Sequence, residues 1–331
     1  MNQTLGRVRD AMSKKLSLIV PVYNEAESLP AFFTVISSTL KMLQEKHHIS
    51  YEIIFVDDGS SDTSLKQLND ARREDDNITI LELSRNFGKE AAMIAGLNSV
   101  TGDIAVVIDA DLQDPPHLID DFIEAWQEGN DVVYGIRSDR SSDPFLKSLT
   151  ANLFYSSFNK VSGVKIPAHA GDFRLLDRTV VDDICRLTES NLFMKGLFSW
   201  VGYRQKAIAF ARPERLSGRS KFNYWRLWNF AIDGILSFST APLRIWTYIG
   251  GVVAACAFIA AILLVFYTLF VGRDVPGYAS IMVTLLFMSG VQLVVLGIIG
   301  EYLGRIYEET KSRPRYLIKR RHDSTAKDDS Q

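Results

Sequence analysis

Cysteine is scarce, with only Cys185 and Cys256 in a chain of 331 residues. Two thiols make neither a disulfide framework nor a CxxC zinc site, which excludes secreted mini-protein scaffolds and zinc modules. Histidine is nearly as rare, and His47, His48, His117, His169 and His322 show no metal-ligand spacing. A surplus of positive charge is also missing, because Lys+Arg 37 stand against Asp+Glu 39 for a net charge of −2. Nucleic-acid binders neutralise many phosphates with excess Lys and Arg, so no nucleic-acid partner is expected. The amino-terminal region reads as lacking a secretory signal, since its first apolar stretch, 16–23, is short and contains Pro21.

What is abundant is apolar, 47% of residues, and it is unevenly placed. The length allows two domains at roughly 100–200 residues each. Segment 245–271 carries no Asp, Glu, Lys or Arg, and neither does 278–300. A run of about 20 apolar residues is what crossing a bilayer requires, and soluble helices of that length normally carry charge on one face. Only GRDVPG, residues 272–277, separates the two runs, so they read as a transmembrane helical hairpin. Arg219, Lys221, Arg226 and Arg244 precede the first run, and Arg305, Lys311, Arg313, Arg315, Lys319, Arg320 and Arg321 follow the second. Arg273 stands alone in the turn. By the positive-inside rule both flanks are expected on the cytoplasmic side of a multi-pass protein.

The expected organisation is therefore an N-terminal extension over 1–15 and a cytosolic α/β domain over 16–215. A juxtamembrane interfacial region over 216–244, spans at 245–271 and 278–300, and a basic cytoplasmic tail over 301–331 complete it. Aromatic residues crowd 221–240 (Phe222, Tyr224, Trp225, Trp228, Phe230, Phe238), and Trp and Tyr favour the headgroup boundary. That stretch reads as an amphipathic helix lying on the membrane. Residues 192–203 read as a second such helix, although core packing also explains aromatics at that density.

Within the soluble part, 16–22, 52–56, 78–83, 103–108 and 131–135 are short runs rich in Val and Ile. Continuous apolar runs suit strands buried on both faces of a parallel sheet. Helical patterns over 25–44, 64–72, 89–100 and 115–128 separate them, which is doubly wound α/β order. Ligands of such sheets bind at the carboxyl ends of the strands. There the sequence carries Pro21-Val22-Tyr23-Asn24-Glu25, then Asp57-Asp58-Gly59-Ser60-Ser61-Asp62, then Asp109-Ala110-Asp111-Leu112-Gln113. Each tip alone is ordinary turn or cap chemistry. Three in order on successive strands make a crowded negative site that needs a cation or donors. Oxygen ligands from Asp111 and Gln113, completed by diphosphate and water, suit Mg²⁺ or Mn²⁺.

The strings PVYNE, VDDGSSD, SRNFGKEAA (84–92), DADLQDPP (109–116) and YGIR (134–137) resemble family-2 glycosyltransferases of the GT-A (Rossmann-like) fold. With the two-span hairpin and basic tail, the chain is most similar to polyisoprenyl-phosphate hexosyltransferases of the bacterial bactoprenol glucosyltransferase type; dolichol-phosphate mannosyltransferases are related. The resemblance implies that Pro21, Tyr23, Glu25 and Asp58 hold the nucleoside. Arg85 and Lys89 would lie near the donor nucleotide, Asp109 would bond its ribose or uracil side, and Asp111 with Gln113 would take the metal. GDFRL, residues 171–175, follows the expected sheet and resembles the family segment whose Asp, here Asp172, lies beside the sugar. Whether Asp172 is a base or an orienting group stays open. Arg137, Arg174, Arg215, Ser220 and Lys221 are the expected contacts to diphosphate and lipid phosphate, a role guanidinium forks suit. A juxtamembrane basic stretch drawn to anionic lipid is the competing reading of the last three.

The resemblance further implies inverting transfer of glucose from UDP-glucose to polyprenyl phosphate at the inner membrane of a bacterium, supplying O-antigen modification. It also implies a homo-oligomer, a tetramer in the bacterial relatives. GDP-mannose or a UDP-amino sugar is the alternative donor. A non-catalytic membrane-anchored sugar-nucleotide sensor or scaffold is the alternative of another class. A processive synthase would show a QxxRW segment, which this chain lacks.

Overall fold

The computed structural model describes residues 14–137, 170–189, 194–210 and 277–323, with single helical positions between 248 and 270. The chain divides into two compact units. One comprises Met1–Ser156, Val164–Asn223 and Arg313–Gln331, and the other Ser157–Gly163 and Tyr224–Ser312.

The first unit runs β1 (Lys15–Val22), α1 (Leu29–His47), β2 (Ser50–Asp57), α2 (Ser64–Glu74), β3 (Ile78–Leu83), α3 (Lys89–Leu97) and β4 (Ile104–Val107). It continues with α4 (Leu118–Gln127), β5 (Val132–Arg137), β6 (Ala170–Asp177), α5 (Arg178–Arg186), α6 (Met194–Trp200) and β7 (Gln205–Phe210). After the second unit the chain returns as β8 (Ile318–His322). The eight strands form one sheet in the order β7-β5-β6-β4-β1-β2-β3-β8. The first four strands pair in parallel, as their unbroken apolar runs predict. Phe55 of β2 is fully buried, edge-on to Phe32 and Phe33 of α1 at 6.2 and 5.6 Å between ring centres. Each such pair adds about 0.5–1.5 kcal/mol beyond the area it buries.

The sheet is mixed rather than parallel throughout. β6 lies antiparallel between β4 and β5, and β8 lies antiparallel on β3. The GDFRL segment, expected after the sheet, is thus one of its central strands. An apolar run shows that a strand is buried but not which way it points. Helix starts also shift. α1 begins at Leu29 rather than 25, because Glu25 caps the turn with its carbonyl, accepting from the N–H groups of Ser28 and Leu29 at 3.1 Å each. α4 begins at Leu118, not 115, with the Leu118 N–H on the Pro115 carbonyl at 3.1 Å. The residue before a proline is pushed out of helical geometry, so the Pro115-Pro116 pair delays the helix.

Two further expectations are corrected. Within 192–203, helix α6 buries Gly196, Leu197 and Phe198 in the sheet domain, so core packing explains Phe198, while Trp200 stays exposed. Of the supposed basic tail, 318–322 is strand β8, whose Lys319 pairs with the buried Glu82 of β3. Its consecutive cations Lys319, Arg320 and Arg321 suit an edge strand.

In the second unit, α7 (Tyr278–Thr310) runs past residue 300. Its 33 residues span about 50 Å, longer than the roughly 30 Å hydrocarbon core. No proline interrupts the helix before it ends at Thr310, and Arg305 supports it by pairing with Glu301 at 3.3 Å. Phe287–Thr310 is long and apolar enough to cross a membrane. The described positions of 245–271 are helical, and Val252, Leu263 and Phe270 are exposed. The juxtamembrane region 216–244 lies outside the described residues, as do 1–13.

Candidate active site

The strand order reverses between β1 and β4, since β2 and β3 follow β1 on one side and β4 lies on the other. A crevice opens outside the carboxyl ends of strands at such a switch point. Residues Tyr23 and Glu25, after β1, and Asp109 to Asp111, after β4, line that crevice together.

The β1 and β2 tips are tied together locally. Asn24 adopts a left-handed φ of 54°, which Asn tolerates better than most residues. Its Oδ1 accepts the N–H groups of Ser61 and Asp62 at 2.8 and 3.3 Å. Gly59, at φ 71°, lies so close to the backbone of Arg85 and Asn86 that a Cβ would sit 2.7 Å from the Arg85 carbonyl carbon. Only glycine fits there, which explains the DDG string. The Asp58 carboxylate accepts the N–H groups of Phe87 and Gly88 at 2.7 and 2.9 Å. Burial still pushes that carboxyl above its ordinary range, against those two donors. Asp58 therefore holds the loop 84–88 while also facing the cavity.

At the β4 tip, Leu112 has φ 55° between Asp111 and Gln113, a conformation costing on the order of 1–3 kcal/mol. The Gln113 N–H donates to Asp111 Oδ1 at 3.0 Å. The crevice is a cavity of about 280 Å³ lined by Pro21, Val22, Tyr23, Glu25, Asp58, Asn86, Gly88, Lys89, Ala92, Asp109, Ala110 and Asp111. Burial raises the Glu25 carboxyl, and the neighbouring charges of Asp111, Asp109 and Asp62 raise it further.

The third wall comes from β6. Continuing the Val107↔Arg174 pairing by two residues brings Asp172 level with Asp109. Lys89, at the start of α3, bridges them, with Nζ 2.8 Å from the Asp109 carboxylate and 2.7 Å from Asp172 Oδ2. Burial opposes ionisation of Asp172, yet the charges of Lys89 and Lys195 hold its carboxyl down to about 2. Those same carboxylates hold the ammonium of Lys89 above its usual range. Beside them, burial and then the Asp172 charge push Glu90 up to about 7, while the Met194 N–H bonds its carboxylate.

Of the residues expected at the donor site, Pro21, Tyr23, Glu25, Asp58, Lys89, Asp109 and Asp111 all line the one cavity. Arg85 does not line it; its guanidinium lies 4.1 Å over the Phe87 ring and donates to the Asn86 carbonyl at 3.0 Å. Arg174, expected as a phosphate contact, is buried at 3% exposure. It stacks 3.8 Å over Phe198 and donates to the Gly171 carbonyl at 2.6 Å, and burial lowers its guanidinium to about 10. It therefore shapes the Asp172 strand from beneath rather than facing a ligand. Arg137 ends β5, but its side chain, with Arg215, Ser220 and Lys221, lies outside the described residues. Glu90, Asn86 and Lys195 were missed as site residues. Glu90 and Asn86 stand inside SRNFGKEAA, whereas Lys195 had no signal, being brought near Asp172 only by tertiary packing.

The donor set fits a divalent cation. Four carboxylates, Glu25, Asp58, Asp109 and Asp111, line one cavity, and Gln113, 5% exposed, keeps its Oε1 buried without a partner. Among the described residues no three His, Cys, Asp or Glu side chains converge to hold a metal unaided. Ligand oxygens would have to complete the shell.

A switch-point crevice with acidic tips on β1, β2 and β4 defines a GT-A glycosyltransferase domain. Two family profiles match, "Glycosyl transferase family 2" over residues 17–185 and "GtrB C-terminal hairpin" over 241–306. The chain belongs to glycosyltransferase family 2, carries that hairpin and is a glycosyltransferase enzyme. It is 50% identical to a bactoprenol glucosyl transferase of Shigella phage SfX, covering 93% of this chain and 99% of the relative. It is 48% identical to a prophage bactoprenol glucosyl transferase homolog of Escherichia coli, over 92% and 99%. An uncharacterized glycosyltransferase of Synechocystis is 50% identical, over 93% and 95%.

Proposed function

We propose that the protein transfers glucose from UDP-glucose to a polyprenyl phosphate at the cytoplasmic membrane face, with inversion. The observation that carries this reading is the joining of Asp172 to the acidic cavity through Lys89, which unites a sugar-side carboxylate with a nucleotide-side one. The near full-length likeness to bactoprenol glucosyl transferases supports the acceptor.

In this mechanism a lipid phosphate oxygen forms the new bond to C1 of the sugar. The bond from C1 to the diphosphate breaks, and UDP leaves with the electron pair. A phosphate monoester is largely ionised near neutral pH, with its second pKa near 6, so the attacking oxygen needs no base. Asp172, held ionised by Lys89, then orients the sugar or acceptor instead of collecting a proton. Tyr23, Glu25 and Asp58 face the nucleoside, and Lys89 presents positive charge to the diphosphate. Asp111 and Gln113 would hold Mg²⁺ or Mn²⁺, which supplies charge neutralisation for the departing diphosphate.

The fold supports the membrane assignment. Because β8 rejoins the sheet that precedes the hairpin, the intervening chain crosses a bilayer an even number of times. A helix pair whose apolar side chains stay exposed is also a surface on which copies of the chain would associate, which favours a homo-oligomer.

The test is transfer of radiolabel from a panel of UDP- and GDP-sugars into organic-extractable polyprenyl phosphate, with and without EDTA. EDTA-sensitive transfer from UDP-glucose is expected. Transfer from another sugar would correct the donor alone. Nucleotide binding with no lipid product from any donor would overturn the enzyme assignment to this acceptor.

A further inference from the structure

The segment that follows the hairpin is bound across the catalytic domain along its length. Arg315 donates to the Leu187 carbonyl beyond α5. The Tyr316 hydroxyl bonds Asn98 at the end of α3. Leu317 accepts the Ser84 N–H at 2.9 Å, and Ile318 to His322 pair with β3. Lys319 pairs with Glu82, whose side chain is 9% exposed. Arg72 of α2 donates to the Asp323 carbonyl at 2.9 Å.

Ser84 begins the loop that crosses from β3 to α3, and Asn86 and Gly88 of that loop line the donor cavity. One end of the loop hangs on Leu317, and its other end on the Asp58 carboxylate. A loop of five residues anchored at both ends has little freedom left. Release of one anchor returns backbone entropy that a ligand must then remove on binding.

We propose that β8 is a positioning strand for the donor loop, so that the chain returning from the hairpin sets how tightly the cavity holds its nucleotide. This rests on the donor reading above and adds to it a residue pair, Glu82–Lys319, remote from the ligand. The pair fastens the strand next to the loop because Glu82 immediately precedes the bulge where the β3–β8 register shifts.

The test uses the full chain in detergent with UDP and Mn²⁺ as the calorimetric probe, and amide exchange at 84–88 as the structural readout. Lys319→Glu sets two carboxylates side by side at the sheet edge. Faster exchange at Ser84 and a roughly tenfold weaker UDP affinity are expected, with the KM for donor rising by the same factor and kcat changing less than twofold. The swap Glu82→Lys with Lys319→Glu restores the opposite charges and should bring affinity back within about twofold. A strand that only stabilises the fold would lower the unfolding temperature and leave UDP affinity unchanged, and that result overturns the proposal. Affinity that stays weak in the swapped variant also overturns it. If Lys319→Glu leaves exchange unchanged, Ile318→Pro, which puts a proline into β8 opposite Leu83, must loosen the loop and weaken UDP, or the proposal falls. Wild-type protein that binds neither UDP nor GDP would remove the donor reading itself; binding with no β8 effect removes only this inference.

Discussion

The central sheet and the long helix α7 are built from the same residue types and treat them in opposite ways. Leu16, Leu18 and Ile19 of β1 have no exposed surface, whereas Leu293, Leu296 and Leu303 of α7 are 70%, 62% and 63% exposed. In the sheet, each apolar residue finds its partner across the chain, at about 25 cal/mol per Å² removed from water. Among the described residues of α7 no such burial is reached, and a bilayer would supply the apolar medium instead. Amino-acid type alone does not say whether a leucine belongs to a core or to a lipid-facing surface. Its neighbours do, because in the sheet charged tips interrupt the runs every few residues, while 278–300 has no charge at all.

The sharpest test of that contrast is to remove one side chain from the packed region. Phe55→Ala should destabilise the domain by about 3–5 kcal/mol, since it empties a site between two helix aromatics. Chemical unfolding of the detergent-solubilised protein reads it, and a loss below 1 kcal/mol would mean the core repacks freely. On the other side of the contrast, Leu293→Arg changes a residue that already lies outside the protein. In water that is nearly neutral, but in a bilayer it costs about 2.5–3.5 kcal/mol at a helix centre. Membrane fractionation should show reduced insertion; an unchanged membrane fraction would place Leu293 against water or another protein surface.

Moving from packing to charge, Asp111→Asn should lower kcat by about a hundredfold, near 2.7 kcal/mol, while the unfolding midpoint stays put. Initial rates with the active donor measure it, and a loss below threefold would remove Asp111 from the metal site. The smallest effect concerns Glu90. Its folded-state value of about 7 lies above the ordinary 4.5, so the folded state holds a proton that the unfolded state has already lost. Stability from this group is full below pH 4.5 and is lost as pH rises through 7. Glu90→Gln should flatten that part of the profile by on the order of 2–4 °C in unfolding midpoint, about 1 kcal/mol for a domain of this size. Parallel profiles for the two proteins would show that Glu90 titrates normally. Asp172 works with the opposite sign, its contribution present above pH 3.8 and lost as pH falls toward 2.

Much of the donor side was readable before the fold. Seven expected residues line one cavity because the ends of parallel strands fall on one edge of the sheet, where the sequence carries its acidic tips. Arg85 and Arg174, expected near the nucleotide and the phosphates, lie over the rings of Phe87 and Phe198. A guanidinium is equally at home on a phosphate and on an aromatic face, and nothing near Arg174 in the chain announces that Phe198 will lie beneath it. Lys195 was invisible, since its tie to Asp172 joins helix α6 to strand β6, which are separate in sequence.

By itself, the sequence determined the α/β order, the acidic tips at the ends of three strands and two apolar segments long enough for a bilayer. These follow from periodicity and from where charge is absent, which are local properties. Only the tertiary structure decided that β6 runs backwards through the middle of the sheet, that Lys89 joins Asp109 to Asp172, and that the basic tail comes home as β8. Strand direction, ion pairing and edge pairing are all contacts between residues far apart in the chain, and their choice depends on the closure entropy and complementarity of whole elements rather than on any residue's own preference.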